Sequence, residues 1–114
     1  GAIAYGDQTG DVSQGANSIA IGNQAGYANQ GTESVAIGFD AGNFSQGASA
    51  VAIGERAGYT NQGTGAIAIG YGAGETDQLS NTIVLNASGG PLNTPTGATG
   101  SLGRYADFAS PENT

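Results

Sequence analysis

The phrase Ser34-Val35-Ala36-Ile37-Gly38 returns every sixteen residues along most of this 114-residue chain, and that fixed period constrains the fold more than any other feature. One column reads Ile3, Ile19, Val35, Val51, Ile67, Ile83. The next reads Ala4, Ala20, Ala36, Ala52, Ala68, Val84, and the third Tyr5, Ile21, Ile37, Ile53, Ile69, Leu85. Gly follows at Gly6, Gly22, Gly38, Gly54 and Gly70, and again four residues on at Gly10, Gly26, Gly42, Gly58 and Gly74. Gln recurs at Gln14, Gln30, Gln46, Gln62 and Gln78. No insertion or deletion breaks the register, so each repeat is expected to form one equivalent coil of a stacked structure.

Gly accounts for 22 residues, and a Gly every few positions costs about 1 kcal/mol each in a helix interior, which excludes helix. A flexible linker would not place Ile or Val, then Ala, then Ile in the same columns six times. What remains is a short β-branched strand closed by Gly-rich turns. The expected fold is therefore all-β, a parallel β-roll or β-solenoid of six sixteen-residue coils. Gly22, Gly26, Gly38, Gly42, Gly54, Gly58, Gly70 and Gly74 are assigned to its turns, where positive φ or a tight corner favours Gly.

Strand side chains alternate between faces, so Val35 and Ile37 share one face while Ser34, Ala36 and Gly38 share the other. The sequence reading places the larger Val and Ile face inside the coil. The Ala face is then apolar and uncovered, and a strand apolar on both faces is normally buried on both. Symmetry mates are the simplest cover, which predicts a homotrimer, intertwined or side by side, with Ala4, Ala20, Ala36, Ala52, Ala68 and Val84 at its interface. On that reading Ala36→Glu or Ala52→Glu abolishes assembly. The alternative is a monomeric solenoid with a mildly apolar flat side.

The recurring Ser-Val-Ala-Ile-Gly phrase with its Gly-containing turn and polar return resembles the head repeats of trimeric autotransporter adhesins, across residues 1 to about 90. That resemblance implies a left-handed parallel β-roll in which three chains associate through their inner strands. The repeat here is sixteen residues rather than about fourteen, and the recurrent Gln-Gly (Gln14-Gly15, Gln30-Gly31, Gln46-Gly47, Gln62-Gly63) is not the adhesin signature. The longer phrase Ala25-Gly26-Tyr27-Ala28-Asn29-Gln30-Gly31 and the exit Asn81-Thr82-Ile83-Val84-Leu85-Asn86-Ala87 are similar to repeats in surface or fibre-like proteins of large DNA viruses and in some phage fibres. Both resemblances imply an extracellular place, on a bacterial cell surface or a virion.

Function must lie in columns that the fold does not dictate. Phe39 and Tyr71 occupy one variable column, Tyr27 and Tyr59 another, and Phe44 the column beside it. Together they are the candidate binding residues, for a host glycan or protein. Alternatively they shield coil ends or pack along the stack. The Gln column is expected to be structural, as a side-chain amide ladder or as caps for turn backbone. Asp40 and Arg56 share a column in successive rungs, which predicts an ion pair between them.

The chain has no Cys and no His, hence no imidazole base, thiol nucleophile or soft metal site, and no catalytic residue, metal or cofactor is expected. A net charge of −7, with Arg56 and Arg104 the only cationic side chains, argues against nucleic acid and anionic membranes as partners. An ice-binding solenoid would want a regular Thr rank, which Ala16, Thr32, Ala48, Thr64 supplies only in alternate rungs. The expected organisation is a repeat domain over 1–92, a linker or exit over 93–101 and a tail over 102–114. The expected function is a structural segment of a trimeric surface fibre or adhesin that projects a binding face. The alternatives are a monomeric solenoid binding carbohydrate or ice and a polysaccharide-cleaving fibre domain.

Overall fold

The computed structural model describes residues 1–94, which form an all-β parallel solenoid of about five turns. Six three-residue strands, β1 (Ile3–Tyr5), β3 (Ile19–Ile21), β5 (Val35–Ile37), β6 (Val51–Ile53), β7 (Ile67–Ile69) and β8 (Ile83–Leu85), stack in that order in one parallel sheet. A second sheet starts with β2 (Val12–Gln14) on β4 (Ala28–Gln30) and continues as single bridges through Phe44, Thr60 and Thr76. The register is sixteen at every step, from Ile3 opposite Ile19 to Ile67 opposite Ile83.

The alternation of faces is as the sequence predicts, but the faces are exchanged between inside and outside. Ala20, Ala36, Ala52 and Ala68 are fully buried within the single chain, and they meet Ala25, Ala41, Ala57 and Ala73 from the other side of the coil. Ser18, Ser34, Ala50, Ala66 and Thr82 line the same interior. The Ile and Val columns point outward. The expected trimer interface on Ala20, Ala36, Ala52, Ala68 and Val84 is therefore overturned, since these side chains have no surface to offer; Ala4 is exposed only because it lies in the first rung.

The physical reason is the thinness of a sixteen-residue coil. A Cβ placed on Gly42 would lie 3.2 Å from the Cβ of Ala36, and a Cβ on Gly26 equally close to that of Ala20. Two layers this close admit Ala against Gly and Ala and leave no volume for Ile, whose extra methylenes would have to be overpacked. Burying Ile and Val would need a wider coil, and hence a longer repeat.

The polar columns build the rest of the interior. Gln62 donates from Nε2 to Val51 O at 2.8 Å and to Gln78 Oε1 at 3.1 Å, while its own Oε1 accepts from Gln46 Nε2 at 3.2 Å. Gln14, Gln30, Gln46 and Gln78 bond the equivalent strand carbonyls in their own coils. The amide ladder and the backbone cap are thus one arrangement. Below Gln46 the ladder stops: Gln30 Nε2 donates to Ile19 O and not to Gln46 Oε1, which is buried without a partner, while Gln30 Oε1 accepts from Ser18 Oγ.

Gly42 shows why the Gly and Gln columns travel together. Its φ is +54°, and a Cβ there would sit 2.8 Å from Gln46 Oε1, so both conformation and space demand Gly. Positive φ alone does not. Gln8, Gln24, Asp40 and Arg56 turn a corner at φ between 52° and 58°, and the columns of Asn29 and Ser49 also turn at positive φ. Above the first coil such corners keep their backbone bonded to the rung below, as in Asp40 N to Asn23 O at 3.0 Å, which offsets the left-handed strain.

The sixth rung closes the stack. Val84 fills the Ala column at 1% exposure, and Leu92 pairs with Ala73 three residues later than the period would place a partner. The extra length is a turn built around Asn86, whose Nδ2 donates to Tyr71 O at 2.7 Å and whose Oδ1 accepts from Ser88 N at 2.9 Å. Asn93 Oδ1 accepts from Thr76 N at 2.8 Å and Thr94 Oγ1 from Leu79 N, doing for the top rung what a following coil's carbonyls do lower down. The expected linker beyond Thr94 and the tail over 102–114 lie outside the described residues.

Candidate interaction surfaces

The outward Ile and Val columns form one apolar sheet face running the height of the stack. Ile21 and Ile69 are 37% and 39% exposed although they lie on regular rungs, because none of the described residues packs over them. Phe39 and Tyr71, two residues beyond Ile37 and Ile69, border this face and are likewise exposed. At its upper end Ile69, Gly70, Leu85, Asn86 and Ala87 line an apolar hollow of about 340 Å³. It lies where Asn86 takes the place of the Gly that follows the strand in the lower rungs.

The five candidate aromatics therefore do not form one site. Tyr27, Phe44 and Tyr59 come together on the second sheet instead. Phe44 stands between the two tyrosines, nearly perpendicular to both, with ring centroids 6.0 Å from Tyr27 and 5.7 Å from Tyr59. Edge-to-face pairs of this kind add about 0.5–1.5 kcal/mol each beyond area burial. Adjacent columns and successive rungs bring them within reach, so this grouping follows from the repeat register.

Charged and amide groups flank the strip. Arg56 lies with its guanidinium carbon 4.7 Å from the Tyr59 ring centroid and bonds Glu75 at 2.7 Å. Asn43 donates to Asp40 at 2.7 Å, and Asn61 donates to Asp77 at 2.9 Å. The expected Asp40–Arg56 pair does not form, although the register that suggested it holds, with Arg56 N donating to Phe39 O at 2.9 Å. The Tyr59 ring and the Glu75 carboxylate draw the arginine toward the next rung, and Asp40 takes the Asn43 amide.

Elsewhere polar ladders follow the columns, as in Gln24 donating to Gln8 at 2.7 Å. Thr32 and Thr64 are exposed but alternate with Ala16 and Ala48, so no continuous Thr rank exists. Among the described residues, no three of His, Cys, Asp and Glu come together where they could hold a metal ion. Comparison with known protein families, with curated proteins and with solved structures finds no match.

Proposed function

We propose that this chain is a structural segment of a trimeric surface fibre or adhesin, whose copies cover one another's Ile and Val faces and hold a binding face outward. The observation that carries this reading is the apolar face on the six-stranded sheet, which none of the described residues covers. An apolar patch spanning six rungs is costly to leave in water and marks an interaction surface. An identical copy is its natural cover, because the four middle rungs each present a pair of β-branched residues, and a parallel neighbour in register meets apolar with apolar at each of those steps. The count of three rests on the resemblance of the repeats to adhesin heads. The same resemblance, with that to viral fibre repeats, supports an extracellular place on a bacterial or virion surface.

The site chemistry favours a presenting role over a catalytic one. The carboxylates Asp40, Glu75 and Asp77 are each engaged with an amide or guanidinium. The mass of the chain in solution tests the assembly: three times 11.0 kDa is expected, and the mass of a single chain at micromolar concentration would contradict it.

A further inference from the structure

The strip of Tyr27, Phe44 and Tyr59 shares no residue with the Ile and Val columns, so assembly through those columns does not consume it. We propose that it binds a neutral oligosaccharide, an inference that rests on reading the chain as one that presents a binding face. Phe44 is 41% exposed and has no polar atom, so its outward surface suits an apolar partner. Along the same strip stand an amide and a carboxylate on one side (Asn61 with Asp77) and a carboxylate and a guanidinium on the other (Asp40, Arg56). A ligand for this surface needs an apolar face with hydrogen-bonding groups at its rim, donors included. A pyranose ring has that make-up, with C–H groups to lie on the aromatic ring and hydroxyls around its edge.

Charge selects within that class. The net charge is −7, and the strip's one cation among the described residues, Arg56, is already paired with Glu75 and seated on Tyr59. Among the described residues, an anionic glycan would meet Asp40 and Asp77 with no free cation at the strip to receive it. The strip is also preorganised: Phe44 is held between two rings and Tyr59 under the arginine, so little side-chain freedom is lost on binding.

The test is an NMR titration of the full chain with cellotriose, triacetylchitotriose and 3′-sialyllactose, following the aromatic ring signals. At least one of the neutral trisaccharides is expected to shift Phe44, Tyr27 and Tyr59 saturably, and sialyllactose is expected to leave them in place. Phe44→Ala should weaken that binding by about tenfold or more, a loss of about 1.4 kcal/mol, while Phe44→Tyr retains it. No shift with either neutral sugar, an equal response to the sialylated one, shifts confined to Phe39 and Tyr71, or unchanged affinity in Phe44→Ala would each overturn the proposal. The solution mass of the same sample keeps the two claims apart. A single chain that binds sugar contradicts only the assembly, and a three-chain species that does not bind contradicts only this site.

Discussion

Ala52→Glu should leave the chain without a cooperative unfolding transition, because the new carboxylate would enter a fully buried column that none of the described residues lines with a cation. Ala52 is 0% exposed and sits between Ala36 and Ala68 in the stack. A Cβ at Gly58 would already lie 3.2 Å from the Ala52 Cβ, so the interior has no volume for four further heavy atoms and their charge. An unpaired buried charge costs several kcal/mol, against about 5–15 kcal/mol of total stability for a typical domain. Thermal circular dichroism is the measurement. A variant that melts like the parent would mean that the Ala column is not interior. The effect differs in kind from a block on assembly, since the single coil itself should fail.

Gln62→Ala should cost about 2–4 kcal/mol, more than truncating any exposed polar residue in the chain. The side chain is 2% exposed and links three rungs, receiving from Gln46 and donating to Val51 O and to Gln78. Truncation leaves Val51 O without its side-chain donor, strands Gln78 Oε1 and opens a cavity in a buried column. Each buried group left unpaired costs about 1–3 kcal/mol. Gln62→Glu separates hydrogen bonding from volume, because the carboxylate fills the space but cannot donate to Val51 O. Urea titration of the three proteins should rank the parent well above both variants. A midpoint for Gln62→Ala within error of the parent would remove the ladder from the account of stability.

The stacking register was legible because nothing interrupts the period between Ile3 and Leu85. The Gln column was legible as structure for a similar reason, since a residue repeated in every coil has a role in every coil. Which face lies inside was not legible from alternation, which says that Val35 and Ile37 share a side but not which side. Size suggested that the larger residues go in. Coil thickness decided otherwise, and it depends on the close approach of Gly42 to Ala36 across the coil. The corners at Asp40, Ser45 and Ser49 carried no Gly to mark them, so the sequence did not show that Phe39 borders the six-stranded sheet while Phe44 bridges in the second. The Arg56 pairing shows a further limit, because the register places Cα atoms while a long side chain chooses among several rungs.

The outward Ile and Val face is the claim on which the proposed assembly rests, and Ile53→Lys tests it most directly. Ile53 is only half-buried in the single chain, at the middle of the face, so a lysine there can reach water if no partner covers it. Mass and circular dichroism should be measured together on the parent and the variant. The account predicts three chains for the parent and a folded single chain for Ile53→Lys, its β spectrum intact, because a desolvated ammonium would stand at every copy's contact. A three-chain Ile53→Lys species as stable as the parent would contradict it.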